Sequence, residues 1–340
     1  MNQAQLKKDR VIISFLYDPA LVLAVKTLSG RWWHSDDKYW SADLNVQNIE
    51  KLVELNFSLS SELQEWYACM TAPQPELPTD ITIPGLRKAL YLFQKQGVAF
   101  MELKKGRVLL ADSMGLGKTM QTLAWLQLHK KDALPAVVIC PCSLKLNWQK
   151  EISIWTNLSS VVWSGRNGKS TENTKAVVHI INYDILAKVT KDEETGRKNV
   201  DVRSDILALK VKTVIIDEAH FAKDSRSQRA KAVLALCKTA KHVIALTGTP
   251  IVNRPVEIYN SLKAVAPQLF PSFIKFAFRY CAPHNNGFGW NFKGASNTKE
   301  LHELLTSTVM LRRTKEDVLK ELPPKVRSIV PLEINNRKEY

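Results

Sequence analysis

The stretch Arg107–Thr119, RVLLADSMGLGKT, constrains the fold of this chain more than any other. A short apolar run is followed by Gly-Leu-Gly-Lys-Thr at 115–119 and then by a helical pattern, which predicts a strand, a phosphate loop and a helix. Glycines let backbone N–H groups and a helix N-terminus face a polyanion, while the lysine and the hydroxyl suit terminal phosphates and magnesium. The pattern therefore predicts nucleotide binding. Asp112 stands where the general pattern G-x-x-x-x-G-K-[ST] has its first glycine, so a glycine-rich turn without a ligand is the alternative.

Length and composition indicate a soluble chain. The 340 residues suffice for roughly two domains, each with a core of its own. All apolar runs are too short to span a bilayer, and residues 1–10 lack the apolar core of a signal peptide. The five cysteines show no paired zinc spacing, which favours reduced structural thiols. We therefore expect an intracellular, reducing location and no membrane partner.

The positive charge is concentrated in one part of the chain. The formal net charge is +15, but residues 1–80 hold 7 basic and 11 acidic side chains. The excess of lysine and arginine belongs to residues 81–340, which also contain the phosphate loop. A basic surface spread over a whole domain fits contacts to a nucleic-acid backbone better than binding of ATP alone. Charge that serves only solubility is the alternative.

Residues 1–70 have the pattern of a small α+β unit, and residues 71–84 that of a proline-rich linker without an apolar period. Within the unit we predict a strand at 11–16, helices at 19–27 and 46–55, and a hairpin that turns at 35–37. The arms of the hairpin carry Trp32, Trp33 and Trp40 beside basic residues. Such rings can stack on unpaired bases, but tryptophans in a strand pattern more often belong to the core.

Helical periodicity marks two further segments. A helix is predicted over 86–103, and it contains Gln94, whose amide can donate and accept at once and so read the edge of an adenine. A glutamine exposed on the surface is the alternative. After a strand at 136–140, apolar residues recur at helical spacing and predict a core-facing stripe made of Leu144, Trp148, Ile152 and Trp155.

Two adjacent carboxylates follow another buried strand. The strand predicted at 213–216 ends in Asp217-Glu218-Ala219-His220. Ligands of open α/β sheets bind outside the carboxyl ends of the strands, so Asp217 is placed to hold magnesium and Glu218 to polarise a water that attacks a γ-phosphate. As an isolated tetrapeptide, the same residues are equally compatible with the acidic N-terminus of a helix.

A third strand, predicted at 242–246, ends in the turn Thr247-Gly248-Thr249. The phosphate loop, the acidic pair and this turn each follow a separate apolar strand, and one parallel sheet would bring them to one edge. We therefore predict an α/β fold in which helices flank a parallel sheet and a triphosphate binds at that edge. Residues 164–170 imitate a phosphate loop without a following apolar helix, and 191–199 are charged, so we predict surface loops at both.

The motifs DSMGLGKT, IIDEAH and LTGTP, in this order, resemble the Walker A, Walker B and third motifs of the SWI/SNF-type branch of superfamily-two helicase-like ATPases. In that branch an aspartate at the position of Asp112 is usual. The resemblance continues through LFQKQGVAF at 92–100 and MLRRTKEDVLKELPPK at 310–325. It implies a RecA-like lobe over residues 85–340, with a helical protrusion near 254–309.

Within the branch, three features resemble the fork-remodelling annealing helicases that carry a HARP domain. They are RYC at 279–281, GWNFKGASN at 289–297, and the N-terminal unit with its YDP and aromatic hairpin. The resemblance implies a DNA-dependent ATPase or translocase that remodels or anneals duplex or forked DNA. ATP and Mg²⁺ would be its cofactors, and DNA its partner.

The resemblance also implies roles for the matching positions. ATP would contact Gln94 near adenine and the loop residues Met114, Gly115, Leu116, Gly117, Lys118, Thr119 and Met120. The catalytic set would be Lys118 on the β- and γ-phosphates, Asp217 with Thr119 on Mg²⁺, and Glu218 activating water. Coupling of hydrolysis to DNA would use His220, Thr247, Gly248 and Thr249. The DNA backbone would lie near Ser143, Lys145, Asn182 and Tyr183.

The motor of this branch has two RecA-like lobes, and arginines of the second lobe stabilise the transferring phosphoryl charge. The end of the sequence, IVPLEINNRKEY, resembles the entry to the connection between the lobes. We expect a fragment of a longer motor, or a lobe completed by a partner protein, and almost no turnover by these residues alone. A DEAH-type RNA helicase and a non-catalytic, ATP-responsive DNA-binding module are the rival interpretations.

Overall fold

The N-terminal unit is a five-stranded sheet with three helices. The computed structural model of the chain describes residues 2–7, 10–71, 77–164, 175–191, 198–249, 254–285, 287 and 289–318. The strands of the unit are β1 (Gln3–Lys7), β2 (Arg10–Ser14), β3 (Trp32–His34), β4 (Tyr39–Asp43) and β5 (Ser58–Leu59). Its helices are α1 (Pro19–Val25), α2 (Val46–Glu54) and α3 (Ser61–Thr71). The strand order is β3-β4-β2-β1-β5, and only the pair of β1 and β5 is parallel.

Helix-capping residues and a turn in the sequence explain most of the helices and strands of this unit. The Asp18 carboxylate accepts from the backbone N–H of Ala20 and thereby begins α1 beside its proline, and the Asn45 side chain caps α2. The predicted hairpin is confirmed, since Trp33 lies opposite Trp40. The core interpretation is wrong for Trp32 and Trp33, which are 66% and 44% exposed. The sequence prediction missed β1, β5 and α3.

Part of the predicted linker after α3 packs against the second unit. Residues 72–76 of the predicted linker lie outside the described part, but Leu77, Ile81 and Ile83 are partly buried against the core of the next unit. Single apolar side chains between polar residues show no period, which is why the sequence did not reveal this packing. The helix predicted from residue 86 begins only at Leu92.

A seven-stranded parallel sheet forms the centre of the second unit. The strands of this unit are β6 (Arg107–Leu110), β7 (Ala136–Cys140), β8 (Ser160–Val162), β9 (Val178–Asn182), β10 (Ala187–Lys191), β11 (Lys198–Val202), β12 (Thr213–Ile216), β13 (His242–Leu246), β14 (His284–Asn285), β15 (Trp290–Asn291) and β16 (Met310–Leu311). The central sheet has the order β16-β6-β13-β12-β7-β9-β8, and all its neighbouring strands run parallel. β10 with β11 and β14 with β15 are separate antiparallel hairpins.

Helices cover both faces of this sheet. They are α4 (Leu92–Leu103), α5 (Lys118–Leu128), α6 (Lys145–Trp155), α7 (Tyr183–Leu186), α8 (Ser204–Ala208), α9 (Gln228–Thr239), α10 (Tyr259–Val265), α11 (Phe273–Tyr280), α12 (Thr298–Thr308) and α13 (Lys315–Val318). Alternate residues of the strands enter two separate apolar clusters: Val108 belongs to the same cluster as Trp148 of α6, and Leu109 to the same cluster as Leu236 of α9. The predicted α/β fold and the predicted core stripe on α6 are confirmed.

The charged stretch at 191–199 is not wholly a loop. Its first residue ends β10, and Lys198 and Asn199 begin β11, which pairs with β10 from Ala187 opposite Val202. Residues 192–197 lie outside the described part, as do residues 165–174 with most of the imitation phosphate loop. Val189 lies opposite Val200 in this hairpin. The charged stretch 191–199 carries no local pattern that predicts this pairing.

The segment after β13 joins the two units. It contains α10, α11 and α12, a short 3₁₀ turn at Pro255–Ile258 and the small hairpin, and it returns through β16 to the edge of the central sheet. Arg279 of α11 donates to both carboxylate oxygens of Glu300 at 2.7 and 2.9 Å. Its remaining nitrogen lies 3.1 Å from Asp43 of β4, so one guanidinium bridges the N-terminal sheet and the helical segment. No helix within the described ranges is long and apolar enough to cross a bilayer.

Candidate nucleotide site

The phosphate loop follows β6 and leads directly into α5. Gly115 and Gly117 have φ of +88° and +76°, a conformation that side chains rarely adopt, and Gly117 is the residue before the helix begins. Lys118 is the first residue of α5, and its ammonium donates to the carbonyls of Asp112 at 2.7 Å and Ser113 at 3.4 Å. Thr119 follows in the first turn, where free backbone N–H groups suit an anion.

The electrostatics of Lys118 show that the predicted groups share one site. Burial lowers the pKa of Lys118, and the carboxylates of Glu218, Asp112 and Asp217 act in the opposite direction. Arg312 adds a weaker effect of its own charge, which lowers the pKa further. The lysine thus lies within the field of the acidic pair, as a parallel sheet predicts for residues that follow neighbouring strand ends.

Asp217 lies at the carboxyl end of β12 and is held from two sides. Its Oδ2 accepts from the indole N–H of Trp148 at 2.7 Å, and its Oδ1 accepts from the backbone N–H of Glu218 at 3.0 Å. Burial raises the pKa of Asp217, an effect that the Trp148 hydrogen bond opposes. Each carboxylate oxygen keeps a further lone pair, so this carboxylate retains acceptor capacity for a metal-bound water or the metal itself.

Glu218 is strained and incompletely bonded. Its φ and ψ of 49° and 56° are left-handed, which costs a residue with a side chain of order 1–3 kcal/mol. Its Oε2 atom is buried and has no hydrogen-bond partner among the described residues, although it lies 3.3 Å from Nδ1 of His220. A buried carboxylate oxygen with spare acceptor capacity is what a residue needs to orient a water.

Tyr183 stabilises the acidic loop through a hydrogen bond to its backbone. The ring is buried, stacks on Phe221 with centroids 5.8 Å apart, and its hydroxyl donates to the carbonyl of Asp217 at 2.7 Å. The carbonyl of Glu218 is 3.4 Å from the same hydroxyl. The strained loop is therefore fixed by a side chain at the end of β9, two strands away in the sheet order.

The turn Thr247–Thr249 completes the edge at the end of β13. The Thr247 hydroxyl accepts from the backbone N–H of Thr249 at 3.2 Å, which makes the turn tight. A Cβ on Gly248 would lie 2.7 Å from Cγ of Met114 and 3.7 Å from Nζ of Lys118. This glycine therefore lets the third loop approach the phosphate loop closely.

Gln94 is buried against the phosphate loop, so the interpretation as a surface glutamine is wrong. Its Oε1 accepts from the backbone N–H of Tyr91 at 3.1 Å and begins α4, and its Nε2 lies 3.4 Å from the carbonyl of Leu116. A Cβ on Gly117 would meet this amide at 2.4 Å. The structure thus brings Gln94 to the loop, and its contact with adenine stays a prediction.

The four residues predicted near DNA lie around the ends of β7 and β9. Ser143 is exposed, whereas Asn182 and Tyr183 are buried. The ammonium of Lys145 donates to the Trp163 carbonyl at 2.9 Å and lies 3.2 Å from Oδ1 of Asn182. Their proximity to DNA stays a prediction, and within this set Ser143 offers the most accessible side chain.

The residues present fit ATP with Mg²⁺. Within the described ranges, no group of three or more His, Cys, Asp or Glu side chains forms a metal site. Magnesium bound to a nucleotide needs only one or two protein ligands besides the phosphates. Asp217 and Thr119 have suitable oxygen atoms, and their contact with magnesium stays a prediction. The positive-φ glycines favour a phosphate ligand over an ordinary turn. The Oε2 atom of Glu218 suits a donor such as a water molecule.

Two contributors to the site were missed from sequence. Trp148 was interpreted as core only, and Arg313, although part of the quoted MLRR motif, received no role. Arg313 forms an ion pair with Asp112, and Trp148 bonds to Asp217. The departure of Asp112 from the general loop pattern was the one available signal that this position requires a partner.

A parallel sheet with these three loops at its carboxyl edge defines a RecA-like lobe of the phosphate-loop type. The comparisons with known proteins agree with this class. The SNF2-related domain family matches residues 93–340. The chain therefore belongs to the SNF2-related domain family, and the resemblance noted from its motifs is confirmed.

Individual relatives add detail. SWI/SNF-related matrix-associated actin-dependent regulator of chromatin subfamily A-like protein 1 from Bos taurus is 37% identical over 327 residues, which cover 91% of this chain and 33% of that protein. DNA annealing helicase and endonuclease ZRANB3 from Homo sapiens is 34% identical over 286 residues, covering 82% and 25%. The solved Sulfolobus solfataricus SWI2/SNF2 ATPase core in complex with dsDNA is 28% identical, with a TM-score of 0.55 and coverage of 72% and 48%. The chain thus spans a quarter to a third of these two relatives.

Proposed function

We propose that this chain binds ATP with Mg²⁺ and forms the first motor lobe of a DNA-dependent ATPase that remodels or anneals duplex or forked DNA. The observation that carries the proposal is that the phosphate loop, the acidic pair and the Thr247–Thr249 turn follow β6, β12 and β13, which are neighbours in one parallel sheet. The basic composition of residues 81–340 supports a polyanionic partner. The relatives described by name as annealing helicases, and a structural neighbour solved with dsDNA, support DNA as that partner.

Each residue at the edge has a role in this proposal. The Lys118 ammonium, which now donates to loop carbonyls, would turn to the β- and γ-phosphate oxygens. Asp217 and Thr119 would hold Mg²⁺, which when bound neutralises the negative charge of the phosphates. Glu218 would orient the attacking water through its unpartnered oxygen and accept its proton.

The neighbouring groups support coupling between hydrolysis and DNA. His220 lies 3.3 Å from the Glu218 carboxylate, and the turn at Gly248 contacts the phosphate loop. Both are placed to respond when a γ-phosphate arrives or leaves. A second RecA-like lobe, from a longer chain or a partner protein, would supply the arginines that stabilise the transition state.

The test begins with nucleotide binding by the 340-residue chain, measured by fluorescence titration with a labelled ATP and Mg²⁺. We expect weak binding that falls at least about tenfold in Lys118→Ala, because the variant loses the half-buried cation that would bond the phosphates. Glu218→Gln should still bind. Lys299→Ala, whose side chain is 88% exposed on α12, is the matched lysine control and should bind normally.

Turnover is then measured on the full-length protein, with and without duplex, forked DNA or RNA. We expect strong stimulation by DNA, and none in Lys118→Ala or Glu218→Gln. Equal rates with and without nucleic acid would refute the proposal, and stimulation by RNA alone would favour an RNA helicase. Rapid hydrolysis by the 340-residue chain would overturn the need for a second lobe.

A further inference from the structure

The buried carboxylate of Asp112 lies between β6 and the phosphate loop and is fully enclosed. Its Oδ1 accepts from the Nε and the backbone N–H of Arg313, each at 3.1 Å, and its Oδ2 accepts from an outer guanidinium nitrogen at 2.5 Å. Gln121 of α5 also donates to Oδ2 at 3.1 Å. An enclosed carboxylate is costly unless it is paired and hydrogen-bonded in this way.

Arg313 reaches three separate parts of the nucleotide site. Besides Asp112, it donates to the carbonyl of Phe93 in α4 and to Oε1 of Gln121 in α5, the latter at 3.1 Å. Its backbone carbonyl accepts from the N–H of Ser113 at 2.9 Å. Arg313, which follows Asp112 by 201 residues, thus joins the phosphate loop to α4 and α5.

A glycine inside α4 makes room for this network. Gly97 lies in the helix interior, where glycine is unfavourable by about 1 kcal/mol relative to alanine. A Cβ at this position would lie 1.7 Å from Oε1 of Gln121 and 3.2 Å from a guanidinium nitrogen of Arg313. A side chain at residue 97 would therefore force the Gln121 amide and the Arg313 guanidinium to shift.

We propose that Arg313 is a positioning residue for the nucleotide: through Asp112 it holds the phosphate loop in its ligand-receiving conformation and connects it to the segment that leaves β16. The segment enters the sheet beside β6, where Met310 and Leu311 pair with Leu109 and Leu110. The loop and the departing chain consequently move as one body. The proposal rests on the proposed nucleotide site but concerns the loop itself, so it can be tested without a ligand.

The first experiment is amide hydrogen exchange of the 340-residue chain without nucleotide, with Arg313→Lys as the test variant. Lysine keeps the charge but lacks the planar fork that bonds Asp112, Phe93 and Gln121 together. We expect exchange to accelerate severalfold in peptides that cover 112–119 while peptides of β12 and β13 keep wild-type rates. Equal acceleration everywhere, or none at the loop, would overturn the proposal.

The second experiment measures labelled-ATP affinity in Arg313→Met, Asp112→Asn and the double variant. We expect each single change to weaken binding by about tenfold and the double variant to lose less than twofold more, because both changes remove the same contact. Additive losses would contradict a shared role. Circular dichroism checks that each variant folds. If Arg313→Met does not fold, the labelled-ATP affinity of Arg313→Lys is measured in its place.

Gly97→Ala adds a test that leaves every charge in place. Its Cβ would displace Gln121 and Arg313, so the same selective acceleration at 112–119 is expected, with weaker nucleotide binding. Should the wild-type chain fail to bind nucleotide while loop exchange still responds selectively, the proposed function fails and the positioning role stands. Should nucleotide bind equally to all variants, the positioning role fails and the proposed function stands.

Discussion

The indole N–H of Trp148 donates to the Oδ2 atom of Asp217 at 2.7 Å, in a place where both side chains are buried. The bond joins the middle of α6 to the acid that the proposed function assigns to magnesium. A hydrogen bond to a charged group contributes about 1.5–3 kcal/mol, which is enough to decide the orientation of this carboxylate.

We expect Trp148→Phe to weaken Mg²⁺-dependent nucleotide binding by about tenfold, because an aromatic ring remains in the core while the bond to Asp217 is lost. The matched control is Trp155→Phe on the same helix, whose N–H donates at 3.0 Å to Glu151, away from the site. Titration of labelled ATP at fixed and varied Mg²⁺ measures the effect. Equal losses in the two variants would show that the tryptophans act only through packing.

Tyr183→Phe removes the hydroxyl that fixes the acidic loop. Burial raises the pKa of Tyr183, so the hydroxyl remains a donor to the Asp217 carbonyl throughout the usual pH range. We expect the free energy of unfolding to fall by about 1 kcal/mol, measured by urea denaturation. Tyr259→Phe is the control, because its hydroxyl donates to the carbonyl of Phe270 over a longer distance, 3.3 Å. A larger fall in the free energy of unfolding for Tyr259→Phe than for Tyr183→Phe would contradict the role given to the Tyr183 hydroxyl.

Arg279→Leu is expected to release the N-terminal unit from the helical segment. The change removes the ion pair with Asp43 and leaves Glu300 without its bidentate partner. Breaking a fully buried ion pair lowers the free energy of unfolding by about 3–5 kcal/mol. We expect a smaller loss here, because these side chains are partly exposed. Small-angle X-ray scattering should show a larger radius of gyration. Asp43→Asn, which spares Glu300, should give the same expansion with less destabilisation, and Lys299→Ala should leave the shape unchanged.

The thiols should differ in reactivity. Burial raises the pKa of Cys140 and of Cys237 to about 12, so both stay neutral and shielded at pH 8, whereas Cys142 is exposed. We expect iodoacetamide to label Cys142 before Cys140 and Cys237 in the folded chain, as followed by mass spectrometry of peptides. Labelling of Cys140 at the same rate would mean that the carboxyl end of β7 is more open than described.

The sequence predicts the central sheet well, because its buried strands are followed directly by the polar motifs of the candidate site. The strands that precede Asp112, Asp217 and Thr247 are apolar after their first residue, because a parallel strand covered on both faces has no exposed side. Polar motifs at their ends therefore located the candidate site. β1 and the hairpin of β10 and β11 carry mixed polar residues at the surface, where pairing depends on a partner strand and leaves little local pattern.

Contacts between distant residues explain the rest of what was missed. Trp148 and Asp217 are 69 residues apart, and Asp112 and Arg313 are 201 apart. Periodicity places each residue on a helix or a strand end but cannot pair it across the fold. Only the aspartate in place of a loop glycine signalled an unusual environment, and it did not name its partner.

The bridge from Asp43 through Arg279 to Glu300 has a consequence for handling the protein. Their side chains are only 21–25% exposed, and ion pairs that are partly withdrawn from water are screened little by dissolved salt. Contacts between lysines and phosphates weaken steeply as ionic strength rises. A high-salt wash would therefore strip a bound polyanion from the basic surface while the two units kept their mutual orientation.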